Sequence, residues 1–560
     1  MTHLCARPLP RALRPATIFV PALLLVLLSG ALGPTLRPAA AETLESALQS
    51  RFDLEASLPQ SEDGQKELLA MRQFYDGRDF QPAWLGQGGI SDKGKALSEI
   101  LSGSDLDGLL PANYAASEIA ALLQAKAVAE LAELEFALTR SLVHYGRDLS
   151  AGRVQPNKVD SEVFIYPDPV ESLNLLTTAA ASADLAGYLA GFAPQSKNYA
   201  RLKAALADYR AIAAKGGWSH LPDGETLKPG MTDPQVALLR RRLVEAGDLD
   251  PTKAGGKLFD ADVETAVKRF QYRHGLEQDA AVGKNTRAAL DTPVETRIDQ
   301  MLLNMERRRW MPDDLGQRYI FVNLADFVLK VVDGPKTIYD SRVVVGKPYH
   351  RTPVFSGDMT YVVINPYWHV PPSIARNEIL PAVQKDPSYL TRKNFTVLSS
   401  WSANATALDP GSIDWKSVSK NGLKYKFRQG SGDGNALGRI KFMFPNQFNV
   451  YLHDTPAKSL FSRAVRSFSH GCIRVENPPA LAEVVFKGLD GWSLDKINAA
   501  IASEKRQTVN LKQSLPVHLT YLTAWVNKDG SVHFRDDIYG RDERLMKALE
   551  RSHVTGKLGQ

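Results

Sequence analysis

One cysteine and two histidines stand where they could do chemistry together. His453 is followed by Asp454, and further on come Ser469, His470, Gly471, Cys472 and Arg474. A free cysteine has a pKa of about 8.5, so little of it is thiolate at neutral pH. An imidazole that takes the proton, or stays charged beside the sulfur, is expected to lower that pKa by about two units. Gly471 leaves room for a carbonyl to approach, and amide N–H groups around Gly471 and Cys472 could form an oxyanion hole. Spacing alone does not choose the base. His470 is two residues from Cys472 and would point the same way in an extended segment, whereas His453 comes from a separate strand end. A zinc site built on His453, His470 and Cys472 lacks a convincing fourth ligand and any His-x-x-x-His or Cys-x-x-Cys spacing, so no metal is expected. A buried structural cysteine is the remaining alternative.

The cysteine count sharpens the point. The 560 residues contain 2 cysteines, which excludes a disulfide-stapled scaffold. Residues 1–41 read as an export signal: Arg7, Arg11 and Arg14 without acids, an apolar run from Ile18 to Leu32, then Ala39, Ala40 and Ala41. A periplasmic location follows, or anchorage to the inner membrane if the signal stays uncleaved. Cleavage would remove Cys5, leaving Cys472 as the one thiol. It would also remove four arginines and no acid, so the formal charge would fall from +6 to +2. A balance so near neutral gives no reason to expect a nucleic-acid partner.

A chain this long needs several cores to hold such a site. Residues 42–215 read as a helical scaffold, with Leu131, Leu134, Leu138, Leu142, Tyr145 and Leu149 spaced as one apolar helix stripe. A Gly/Pro-rich boundary leads into residues 228–292. Here Asp233 and Pro234 open a helix carrying Val236, Leu239 and Leu243. Asp260 caps a second with Val263, Ala266, Val267 and Phe270, and Val282 and Gly283 precede a third. From about residue 319 the period becomes that of strands, in β-branched runs at 319–324, 327–332, 341–345, 360–364, 439–444 and 449–453. The pattern lapses at about 371–427, an insertion long enough to be functional. Residues 511–560 are expected to complete the catalytic region 315–510, with Asn527 to Gly530 as a hairpin turn.

Two resemblances follow. Residues 228–292, through Val236, Leu239, Leu243, Phe259, Asp260, Phe270, Gln271, Gly275, Leu276, Val282, Gly283 and Thr286, resemble a type 1 peptidoglycan-binding domain. His453 with Ser469, His470, Gly471, Cys472 and Arg474 resembles the H…[ST]-H-G-C-x-R motif of the L,D-transpeptidase catalytic domain (the YkuD-like family). The flanking segments resemble the large Gram-negative branch, which has a helical scaffold, a peptidoglycan-binding domain and a lid.

The resemblance implies a multidomain chain with a mostly-β, sandwich-like catalytic domain, and an enzyme that needs no cofactor. Cys472 would be the nucleophile and His453 its base, with the Asp454 carbonyl orienting the imidazole. His470, Ser469 and Arg474 would shape and polarise the site, and Tyr451 and Trp368 would line the substrate groove. Implied partners are peptidoglycan stem peptides and glycan, cell-wall synthesis proteins, and carbapenem-type β-lactams as covalent inhibitors. The expected reaction joins two diaminopimelate residues through a cysteine thioester, with D-Ala released. Water or a lipoprotein lysine are alternative acceptors, and a non-catalytic wall-binding scaffold is the rival of another class.

Overall fold

The structure, a computed structural model, describes residues 42–557; the export signal expected at 1–41 lies outside them. Residues 44–309 are mostly helical because their apolar residues recur at helical spacing. Among the described residues the longest helix, Val128–Ala151, buries Leu134, Leu138, Leu142, Tyr145 and Leu149 against Leu44–Ser57 and its neighbours, while Leu131, the first of the stripe read from the sequence, is only half-buried. Each such leucine removed from water contributes about 1.5–3 kcal/mol.

Helices Pro234–Glu245, Ala261–Arg273 and Lys284–Leu290 form a second, separate core around Val236, Leu239, Val263, Val267 and Phe270. Their starts are set as the sequence implied. Asp233 and Asp260 accept from the backbone N–H groups of Gln235 and Val263, satisfying donors that a helix end leaves free. Buried Gln271 accepts from Ala280 N–H and donates to the Ala281 carbonyl, tying the second helix to the start of the third.

The catalytic region is built on one large sheet. Its strands, labelled along the chain, are β1 Arg318–Asn323, β2 Val328–Asp333, β3 Lys336–Gly346, β4 Phe355–Ile364, β5 Ile440–Met443, β6 Leu452–His453, β7 Ser467–Ser469, β8 Ile473–Val475 and β9 Gln507–Thr520. They lie in the order β7-β3-β8-β6-β5-β4-β9-β1-β2, and β2 also pairs with β3. The sheet therefore curls until its far strand meets β3 again. Side chains alternate between faces, so Val362, Phe442, Leu452, Ile473 and Val475 fill the enclosed core while their neighbours point outward. The curl gives the mostly-β domain its sandwich-like character.

Between β4 and β5 the chain makes an independent body. Four short strands, ordered Trp368–His369, Lys426–Gln429, Phe395–Leu398 and Ala407–Leu408, pack with helical turns around Val383, Leu390, Val397, Trp415 and Phe427. The insertion thus begins and ends slightly outside 371–427, because Trp368–His369 and Lys426–Gln429 pair to close its neck.

Residues beyond 510 divide between two bodies. Residues up to Thr520 complete the sheet in β9, but the hairpin Ala524–Val526 with Val532–Phe534 packs into the helical scaffold core instead. The reason is composition: Ala524, Val526 and Phe534 form an apolar face that matches Met301, Met305 and the scaffold helices.

Candidate active site

The sheet register builds the site. In the parallel pair β6–β8, Leu452 lies opposite Ile473 and His453 opposite Arg474, and Ile473 N–H donates to the Tyr451 carbonyl. Leu452 and Ile473 point into the core, so Tyr451, His453, Cys472 and Arg474 share the outer face. Lys441 on β5, paired with His453, joins the same row.

His453 is buried, and its Nδ1 lies 2.5 Å from the Asp454 carbonyl, the orienting contact the resemblance implied. Burial, with help from the Arg474 and Lys441 charges, holds the imidazole at about pKa 3, so it is neutral and able to take a proton. The Asp454 side chain braces the segment by accepting from Arg439 N–H at 2.8 Å, Thr455 N–H at 2.7 Å and Lys458 Nζ at 2.6 Å.

Cys472 departs from expectation. Burial pushes its thiol up, against the opposing effects of Tyr451, Lys441 and Arg474. The lowered thiol pKa expected from the motif is therefore absent at rest. Among the described hydrogen bonds the thiol donates to the Asn449 carbonyl at 3.7 Å rather than to His453. Thiol and imidazole are both neutral, and the proton can move as the sulfur attacks rather than beforehand.

The turn carrying the cysteine is fixed by its neighbours. Ser469 Oγ donates to the Cys472 carbonyl at 2.5 Å and accepts from Gly471 N–H at 3.1 Å. Gly471 has φ +109, a conformation that disfavours a side chain. Its N–H, expected to polarise a substrate carbonyl, is thus already engaged by Ser469. Cys472 N–H has no acceptor among the described hydrogen bonds and is the donor left for that role.

His470 does not face the thiol. Its Nε2 meets Glu378 Oε1 of the insertion at 2.6 Å, and its ring lies 5.1 Å from that of His350. Burial lowers its pKa, with Glu378 opposing and Lys347 and His350 assisting. Arg474 is not paired with the nearby acids: Glu476 binds Arg342 and Asp454 binds Lys458. Its Nε is buried without a hydrogen-bond partner; burial lowers its pKa and the neighbouring Cys472 opposes that. Tyr451 stands beside the thiol, its hydroxyl pushed up by burial and then by Cys472, and Lys441 Nζ lies 3.7 Å from its ring centre. Trp368 lies at the neck of the insertion, packed on Phe395 at 6.2 Å between ring centres.

Several supporting residues carried no motif signal. Thr352 Oγ1 donates to the Gly471 carbonyl and accepts from Gly346 N–H, both at 2.9 Å. Tyr539 donates to the Gly346 carbonyl at 2.7 Å. Asn449, at φ 54, aims its carbonyl at the thiol from a turn braced by Asn446. The one available sign was turn chemistry, since asparagine tolerates positive φ better than most residues. Among the described residues no group of three or more His, Cys, Asp or Glu side chains is arranged to hold a metal.

Fold and site together define a thiol–imidazole centre on the outer face of a curled β-sheet. Residues 317–490 match the family model of the L,D-transpeptidase catalytic domain, and this part of the chain is such a domain. Residues 69–206 match a scaffold domain, and residues 232–290 match the model described as "Putative peptidoglycan binding domain". A Haemophilus influenzae protein named "Putative L,D-transpeptidase" is 37% identical over 257 residues, which is 46% of this chain and 51% of that protein. The chain thus spans about half the length of this curated relative. Two crystal structures of L,D-transpeptidases are also similar. One, from Xylanimonas cellulosilytica, is 18% identical with a TM-score of 0.17, covering 53% of this chain and 99% of its own. The other, from Stackebrandtia nassauensis, is 14% identical with a TM-score of 0.20, covering 54% and 96%.

Proposed function

We propose that this chain is an exported peptidoglycan L,D-transpeptidase that joins diaminopimelate residues of neighbouring stems. The observation that carries the reading is the β6–β8 register, which sets Cys472 on one face with a buried, neutral His453 inside a domain of this family. In the first half-reaction Cys472 passes its proton to His453 while the sulfur bonds to the carbonyl carbon at the L-centre of a donor diaminopimelate. Cys472 N–H stabilises the oxyanion. The bond to D-Ala then breaks, and the departing amine takes the proton back from His453. In the second half-reaction the side-chain amine of an acceptor diaminopimelate attacks the thioester and gives a proton to His453. The carbon–sulfur bond breaks, and the thiol is restored.

The thioester is vulnerable to water, and the insertion serves as the lid that excludes it. The match at residues 232–290 supports glycan as the ligand that holds the enzyme on its polymer. Export by residues 1–41, partnership with cell-wall synthesis proteins and acylation of Cys472 by carbapenem-type β-lactams belong to the same reading.

The test is incubation of the protein and its Cys472→Ala variant with disaccharide-tetrapeptides, followed by mass spectrometry. Dimers that have lost D-Ala, made by the wild type alone, are the expected result. Tripeptide monomers alone would make water the acceptor, and unchanged tetrapeptide in both samples would sink the reading.

A further inference from the structure

The outer face of the sheet carries a group of cations of which the motif predicts Arg474 alone. Lys441 pairs with His453 and His453 with Arg474, so both cations flank the thiol's row. Across the sheet Lys441 also pairs with Val363, and Val363 with Thr508. Arg506 immediately precedes β9, two residues before Thr508, and its charge acts on both Lys441 and His369. At the neck of the insertion His369 pairs with Arg428, and Lys426 is two residues from Arg428 on the same side. These groups form one neighbourhood: His369, lowered first by burial, is lowered further by Lys426, Arg428, Lys441 and Arg506.

Among the described residues no carboxylate pairs with them. Burial lowers the pKa of Lys441, Cys472 opposes that, and Arg506 adds to it. None of Lys426, Arg428, Lys441, Arg474 or Arg506 makes an ion pair among the described residues, whereas Arg439, next in the chain to β5, is paired with Asp433 and Glu504. Like charges held together without a counter-ion oppose folding, and departures of this kind concentrate where a ligand supplies the missing charge. Lysine and arginine side chains bind carboxylates by charge-assisted hydrogen bonds.

We infer that Lys441 on the sheet and Arg506 just before β9, with His369, Lys426 and Arg428 at the neck of the insertion, form a carboxylate subsite that holds an anionic peptide while its carbonyl lies at Cys472. The inference rests on the reading of Cys472 as the residue that attacks a stem peptide, and it names what recognises that peptide. A diaminopimelate stem suits the subsite chemically, since it bears a free carboxylate beside the side-chain amine and another on its terminal D-Ala. The bound peptide neutralises the group of cations, and the neck of the insertion and the sheet grip it from two sides.

Two measurements on the full chain test this. In the first, Cys472→Ala protein is titrated calorimetrically with a disaccharide-tetrapeptide and with the same molecule after its carboxylates are converted to amides. Amidation is expected to weaken binding about tenfold or more. Lys441→Gln/Arg506→Gln on the Cys472→Ala background should bind both ligands alike, as the amide is bound before. Equal affinity of the two ligands for the Cys472→Ala protein overturns the subsite. The single Arg506→Gln variant, at an exposed position, serves if the double variant does not fold.

The second measurement involves no peptidoglycan. Cys472 is alkylated by iodoacetate, itself a carboxylate, and by neutral iodoacetamide, with peptide mapping to follow Cys472 alone. The ratio of the two rates should fall about threefold or more in Arg506→Gln and in the double variant. An unchanged ratio overturns the inference. A falling ratio with no tetrapeptide binding would keep the carboxylate subsite and remove the stem peptide as its occupant, so the two readings fail separately.

Discussion

Thr352→Val tests whether the cysteine turn is held from below. The substitution keeps the shape and removes one hydroxyl. That hydroxyl is wholly buried, donates to the Gly471 carbonyl at 2.9 Å and accepts from Gly346 N–H at 2.9 Å. Losing it leaves a buried acceptor and a buried donor without a partner, and each costs about 1–3 kcal/mol. Taking the lower end for each, because the turn can relax, the closed turn loses about 2 kcal/mol, which multiplies its open population about thirtyfold. Gly471 and Cys472 lie in that turn, so hydrogen exchange at residues 470–473 should accelerate by about that factor while the β4–β9 amides stay protected. Turnover should fall about tenfold or more in kcat with little change in KM, since the loss affects alignment of the sulfur more than contact with substrate. If exchange at 470–473 and kcat both match the wild type, the bracing argument is refuted.

Four further outcomes are expected. His453, held at about pKa 3 first by burial, should leave the acid limb of kcat/KM well below the ordinary histidine range; a limb between about pH 6 and 7 would show an unshifted imidazole. The same shift makes folding pH-dependent: its stabilisation is whole above about pH 6.5 and lost as pH falls through about 3, so acid melts of the wild type should fall more steeply than those of His453→Gln. Glu378→Ala removes the insertion's 2.6 Å contact with His470 and should raise the ratio of hydrolysed monomer to crosslinked dimer; an unchanged ratio would separate this contact from water exclusion. Asp160 lies in the segment before the scaffold's later helices and meets buried Arg541 at 3.2 Å and Arg544 at 2.9 Å. Asp160→Asn leaves buried Arg541 with the Glu162 carboxylate alone, at 3.5 Å, at a cost of about 1.5–3 kcal/mol. It should therefore expose residues 160–165 and 350–354 to proteolysis sooner than in the wild type, and equal cleavage rates would argue against that cost.

Much of the architecture was legible because local patterns suffice where a helix or strand buries one face. The stripe at 134–149, the caps Asp233 and Asp260 and the β-branched runs each follow from spacing and side-chain type. The hairpin at 524–534 shows the limit. Its turn was readable, but its packing partner was not, because an apolar face does not name the surface that will cover it.

At the site, the sequence by itself determined which atoms could react: the motif residues, a glycine where φ +109 is needed, and a serine able to bridge the turn. Tertiary structure decided their charge states and directions. The thiol, half-buried, is pushed up and the buried imidazole down because packing strips water from both, a property that no spacing encodes. His470 turns to Glu378 across nearly a hundred residues of chain, and Lys441 reaches the thiol only because β5 lies beside β6. Motifs record short-range chemistry. Burial and cross-strand register depend on which distant segments meet, and that is fixed only when the sheet closes.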